Sequence, residues 1–192
     1  MMDLKQAILE RRSIGKVKSD PVDQALIEEI LEAAIWAPNH AHTEPWRFWV
    51  MTGEGRKLLA RGYAEVAIAE AGTLTEEEIA QIHANQEKKA FRAPVVIAVA
   101  VSPSASRVVP EIEEYAAAHS AVQNMLLTAH ALGLGAVWRT GEPTYHAKMK
   151  ETFRLQGKED LVGFIYIGYP DMPSAPKAVR SPFAQKTVWV SK

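Results

Sequence analysis

Gly133-Leu134-Gly135-Ala136-Val137-Trp138-Arg139-Thr140 is the stretch on which the fold turns. Upstream of it runs an alanine-rich apolar segment opened by Pro110, Glu111, Glu113 and Glu114, an acidic first turn suited to the positive end of a helix. Two glycines stop that helix, and the β-branched and aromatic residues at 136–140 begin a strand. A dinucleotide-binding turn has the opposite order, strand then glycines then helix, and needs a third glycine where Ala136-Val137-Trp138 stand. The glycine pair is therefore read as a helix C-cap and turn.

Working outward, residues 161–168 and 94–101 read as buried strands, and Phe48-Trp49-Val50-Met51 as another. Asp3 caps a first helix whose stripe is Leu4, Ala7 and Ile8, with Arg11 next on the same face. Asp20-Pro21 signals the start of a second helix, which must end near Trp36-Ala37 because Pro38 restricts the residue before it. After Gly53-Glu54-Gly55 a third helix runs to about Ala71, and Thr75-Glu76-Glu77-Glu78 is a capping box opening a fourth. Some neighbouring strands are separated by one helix and others are not. The pattern predicts an α+β fold, a central mixed but largely antiparallel sheet flanked by helices. Beyond Gly168, Pro170, Pro173, Pro176 and Pro182 break the chain into an extended C-terminal arm over 170–192 that ends in Val188-Trp189-Val190.

The 192 residues fit one domain, and a formal net charge of -1 gives no overall attraction to nucleic acid or an anionic membrane. No stretch approaches the ~18 apolar residues of a membrane span. The first residues lack the layout of a signal peptide. With no cysteine, thiolate metal sites and cysteine nucleophiles are excluded, and a cytoplasmic location is expected. No Walker A sequence or Gly-x-Ser-x-Gly elbow occurs. His42-Thr43-Glu44 resembles the front half of a zinc deaminase signature, but its second half requires cysteines. No metal site is expected.

Three groups of basic, aromatic and small polar residues remain. They are Arg11-Arg12-Ser13 with Lys16, the proline-bounded loop carrying Asn39, His40 and His42 between Trp36 and Trp46, and Trp138-Arg139-Thr140. Guanidinium forks suit phosphate oxygens, flat side chains suit ring faces, and amide or imidazole groups suit the polar edge of a heterocycle. Taken singly, each group also reads as a solvated helix end, core or a connection. Together, with Arg11 continuing an apolar stripe, they point to a phosphorylated planar cofactor.

At these residues the chain resembles the FMN-dependent nitroreductase family, in particular its short, YdjA-like members. The matching pieces are Arg11-Arg12-Ser13, Ala37-Pro38 with Pro45-Trp46, the stretch from Gly133 through Arg139, and Val162-Gly163-Phe164-Ile165-Tyr166-Ile167-Gly168 followed by Tyr169-Pro170. The resemblance implies a nitroreductase-like homodimer with FMN at the subunit interface. It places Arg11, Arg12 and Ser13 at the phosphate, ribityl and pyrimidine end of FMN. Trp36 and His40 would come from the partner subunit, and Trp138, Arg139 and Thr140 would also lie at the cofactor. Thr128, Ala129, His130, Ala131, Leu132 and Gly133 would lie at the nicotinamide nucleotide. Many relatives carry a basic residue two places after the serine, where this chain has Gly15, and Lys16 is the candidate for the flavin N1/O2 edge. His42 and Glu44 replace the asparagine and glutamine frequent in the loop.

The activity so implied is NAD(P)H-dependent reduction of nitroaromatic, quinone-like or related small-molecule acceptors by a ping-pong route through FMN, with no catalytic side chain required. A dehydrogenase of narrower specificity, a slow-turnover flavin-binding protein and a non-enzymatic interaction domain are the alternatives.

Overall fold

The computed structural model describes residues 2–105 and 108–191. Four strands, β1 (Trp46–Thr52), β2 (Val95–Val101), β3 (Gly135–Arg139) and β4 (Asp160–Gly168), form one sheet in the order β1-β2-β4-β3. All three ladders are antiparallel, so the mixed character of the sheet is confined to one isolated parallel bridge, Ser13 to Ala136. Seven helices surround it: α1 (Leu4–Glu10), α2 (Gln24–Ile35), α3 (Lys57–Ala71), α4 (Glu76–Ala90), α5 (Glu111–Ala131), α6 (Glu142–Tyr145) and α7 (Ala147–Thr152).

Every residue of β2, Val-Val-Ile-Ala-Val-Ala-Val, is buried, because both faces of this strand are covered. Val95, Ile97, Val99 and Val101 join the core made with α2 and α5, whereas Val96, Ala98 and Ala100 join the core made with α3 and α7. Full burial of one such isoleucine or valine contributes about 1.5–3 kcal/mol. β4 faces the same two cores, but Val162 and Ile165 share a face although three positions separate them. The cause is a bulge: Val99 pairs with Gly163 and Ala100 with Leu161, leaving Val162 without a partner residue.

The glycine pair ends α5 as the sequence indicates. Gly133 takes a φ of 76°, and the Leu134 N–H donates to the Ala129 carbonyl at 2.8 Å, the bond that closes a helix before a left-handed residue. Thr75 and Glu78 complete their reciprocal capping box. Other boundaries moved. α2 starts after Asp23, whose carboxylate accepts from Ala25 N–H, and not at Asp20-Pro21; Val22 lies outside the helix and enters the core. The short helices α6 and α7 were not anticipated, because Pro143 and the His146 side chain that caps α7 offer little periodicity to read.

The stripe on α1 is the larger correction. Only Ala7 of that helix is buried, while Leu4 and Ile8 are 68% and 53% exposed. Arg11 is the C-cap, with extended backbone, so it does not continue the stripe. The arm also carries exposed apolar groups, Val179, Phe183, Val188, Trp189 and Val190. No helix among the described residues is long and apolar enough to cross a membrane.

Candidate active site

The extended segment after α1 carries the basic cluster to the sheet. Ile14 N–H donates to the Ala136 carbonyl at 2.9 Å, Lys18 N–H donates to the Tyr169 carbonyl at 2.8 Å, and Val17 bridges Pro170. These bonds set Arg11-Arg12-Ser13 beside the start of β3 and leave Arg139 at its far end. Two of the three groups singled out in the sequence therefore meet at one edge of the sheet.

Arg11 is half-buried, and its side chain has no hydrogen-bond or ion-pair partner among the described residues. Burial, then the neighbouring charges of Arg12 and Arg180, push its guanidinium below the usual arginine value. Arg180 was not foreseen, since it sits on the arm in a stretch with no pattern. Converging cations without a carboxylate among them form a site for a multiply charged anion. Arg12 serves differently: its Nε donates to the Pro176 carbonyl at 3.0 Å, and its Nη1 donates to the Leu9 and Arg11 carbonyls, each at 2.7 Å. It ties the arm to the end of α1. Ser13 is exposed, and Lys16 is paired with Asp171 at 3.1 Å.

On β3, alternation sends Trp138 and Arg139 to opposite faces. The Trp138 indole N–H donates to the Val162 carbonyl at 3.0 Å, and its ring lies 5.5 Å from that of His119. The Arg139 guanidinium carbon stands 5.6 Å from the Tyr166 ring centroid, and its buried Nε has no hydrogen-bond partner. A Cβ on Gly15 would lie 3.3 Å from Arg139 Nη2. Arg139 thus holds the space beside Gly15, so a cation stands at this point of the segment although residue 15 supplies none. Thr140 is exposed at the strand end.

Thr128 to Gly133 form the last turn and cap of α5. Ala129 is fully buried, Ala131 and Gly133 are exposed, and Thr128 and Leu132 lie between. His130 has a buried Nε2 without a partner and lines a cavity of about 250 Å3 with Arg12, Ile14 and Gly133.

The proline loop lies elsewhere. His40 Nδ1 is 2.5 Å from a Glu113 carboxylate oxygen in the first turn of α5, whereas His130 is in its last turn, about 25 Å away at 1.5 Å per residue. Trp36 is 78% exposed, its indole N–H donating to Glu32 at 3.2 Å. One chain therefore does not bring His40 to the His130 end of α5, and no hydrogen bond joins Trp36 to Arg11 among the described residues.

The loop itself is firmly held. Ala41, His42 and Glu44 all have positive φ, a costly conformation for non-glycine residues. Glu114, 2% exposed, compensates by accepting from the Thr43 hydroxyl at 2.6 Å and the Ser104 N–H at 3.0 Å. Burial acts to raise the Glu114 carboxyl, but the bonds from Thr43 and Ser104 and the nearby His40 outweigh it and hold it below the usual value. The stability that this carboxylate contributes is complete above the ordinary glutamate value of about 4.3 and is lost as pH falls through the depressed folded value. Between pH 7 and 3 the wild-type Tm is expected to fall further than that of Glu114→Gln; equal slopes in a thermal titration would show that the clamp carries no such charge.

The donor set, a half-buried Arg11 side chain without a partner at one end of an extended segment and the partly buried Arg139 guanidinium at the other, fits a long phosphorylated cofactor. About 13 Å separates residues 11 and 15 at ~3.3 Å per extended residue. The nitroreductase family model matches residues 8–169. The chain belongs to the nitroreductase family. Among nitroreductases, YfhC of Bacillus subtilis, provisionally named an NAD(P)H nitroreductase, is 34% identical over 169 residues, covering 88% of this chain and 84% of YfhC. A nitroreductase-like family protein from Bacillus cereus superposes with a TM-score of 0.85 at 31% identity, covering 100% of this chain and 98% of that one. A provisionally assigned nitroreductase from Desulfovibrio desulfuricans, solved in complex with FMN, gives a TM-score of 0.74 at 29% identity over 100% of this chain and 99% of that one.

Proposed function

We propose that this nitroreductase is an FMN-dependent NAD(P)H oxidoreductase that reduces nitroaromatic, quinone-like or related electron-poor acceptors. The observation that carries the reading is Arg11, half-buried beside Arg180 with no carboxylate paired to it among the described residues. Arg11 and Arg180 would hold the FMN phosphate, with Ser13 beside them. Arg139 and the backbone at Thr140 would face the flavin end, and His130 with the last turn of α5 would border the nicotinamide nucleotide. FMN, when bound, would supply two-electron chemistry between NAD(P)H and the acceptor, the two using one cleft in turn. No side chain is then needed as nucleophile; the protein orients the ring, excludes water and sets positive charge near the pyrimidine edge.

The working form in this reading is a homodimer. His40 lies at the opposite end of α5 from the cluster of its own chain, and the exposed Trp36 near it is available to a second copy. The exposed apolar groups of α1 and of the arm, together with Ile112, offer the area that such a contact requires.

A visible spectrum of the purified protein tests the reading. Flavin absorbance that bleaches on anaerobic addition of NADH or NADPH, and returns with a nitroaromatic or quinone, is the expected result. An FMN-loaded dimer that no nicotinamide reduces would favour a flavin-binding protein, and a colourless protein unable to take up FMN would remove the reading altogether.

A further inference from the structure

A second concentration of positive charge stands apart from Arg11. Lys89 in the last turn of α4, Arg92 just beyond it and Arg139 at the end of β3 lie close enough together to repel one another. Lys89, Arg139, Tyr63 and Thr144 line a cavity of about 320 Å3, whose apolar wall is Val137 and Pro143. The Lys89 ammonium sits 4.0 Å from the Tyr63 ring centroid, and the Arg139 Nε is buried without a hydrogen-bond partner. None of the three cations forms an ion pair among the described residues. The chain has 23 acidic residues and places none against this wall. Burial, then Arg92 and Arg139, hold the Lys89 ammonium below its usual value, so the cavity carries a standing electrostatic cost. An anionic oxygen group entering it would remove that cost and satisfy the free donors.

We propose that this cavity receives the anionic oxygens of the acceptor substrate, a carboxylate, sulfonate or phosphate borne by the electron-poor compound, and that Lys89 is the residue that selects for it. The inference rests on the flavin reading, in which Arg11 and Arg180 take the FMN phosphate and Arg139 and Thr140 face the flavin end, leaving Lys89 on the same cavity to meet a second anion beside the flavin. Val137 and Pro143 would lie against the apolar body of such a molecule. The 2′-phosphate of NADPH has the same chemistry, and the test separates the two sources.

The FMN-loaded enzyme is assayed with nitrobenzene and 4-nitrobenzoate, and with NADH and NADPH, in the wild type and in Lys89→Met and Lys89→Arg. A charge-assisted contact predicts a wild-type kcat/KM ratio favouring 4-nitrobenzoate by about tenfold. The ratio should collapse toward one in Lys89→Met and be largely kept in Lys89→Arg. Calorimetric titration of the oxidised protein with 4-nitrobenzoate should lose affinity in step. Three results would overturn the proposal: no wild-type preference, a preference that survives Lys89→Met, or a loss confined to NADPH over NADH. Loss of FMN affinity in Lys89→Met would overturn it too, by placing Lys89 on the flavin instead. Failure of the flavin reading is seen separately, as a colourless preparation before any acceptor is added.

Discussion

Replacing Arg11 with alanine is expected to weaken FMN binding by about tenfold to a hundredfold, the loss of one charge-assisted phosphate contact of about 1.5–3 kcal/mol. The folded state should barely notice, because Arg11 makes no hydrogen bond or ion pair that the substitution would break. Removing it even relieves repulsion from Arg12 and Arg180. A group that is costly in the empty protein and useful only with a ligand is what a binding site looks like energetically. Titration of apoprotein with FMN, followed by quenching of flavin fluorescence, measures the effect. Arg180→Ala should act in the same direction, and Arg11→Lys should recover only part of the loss, since an ammonium cannot reproduce the guanidinium fork. Unchanged FMN affinity in Arg11→Ala would sink the assignment of the phosphate end.

Gly163→Ala is expected to produce the largest loss of stability of any single methyl added to the sheet. A Cβ at this position would lie 2.1 Å from Trp138 Nε1, 2.6 Å from Trp138 Cδ1 and 2.9 Å from the Arg139 carbonyl oxygen. The residue also has a φ of 148°, which side chains rarely adopt. Overpacking and backbone strain each cost about 1–3 kcal/mol, so a loss of about 3 kcal/mol or more is expected, with Tm lower by about 10 °C for a chain of this size. Displacing the indole also breaks its bond to Val162 and disturbs the end of β3, so FMN affinity should fall along with stability. Gly55→Ala, with nothing within 4 Å and no positive φ, is the control, and a change within about 0.5 kcal/mol is expected there. Equal urea midpoints for the two variants would mean that the bulge repacks around the new methyl.

Much of the architecture was legible from local rules. The buried strands, the capping box at Thr75 and the glycine stop after α5 depend on residue type and spacing within one or two turns, and the chain forms them where those rules say. Competing local signals were harder to rank. Asp20-Pro21 reads as the start of α2, but Asp23 caps the helix and Val22 between them enters the core. On α1 the Leu4, Ala7 and Ile8 spacing is helical, but the stripe does not extend to Arg11, and spacing says nothing of which surface covers it. Among the described residues nothing buries Leu4 and Ile8.

The site divides along the same line. Arg11 and Arg139 stood out because their chemistry is unusual beside apolar neighbours, and the motifs that carry the family resemblance contain them. Arg180 and Lys89 did not, because their meaning comes only from what lies next to them across the fold. Patterns that short-range sterics and hydrogen bonding enforce thus revealed the strands, the longer helices, the family and the basic segment at Arg11-Arg12-Ser13, but not α6, α7 or the start of α2. Only the tertiary structure decided which cations converge without an acid, that Arg139 holds the space beside Gly15, and that Lys16 and Arg12 are engaged with the arm. Electrostatic fields and excluded volume act through space, so they depend on contacts that no stretch of sequence contains.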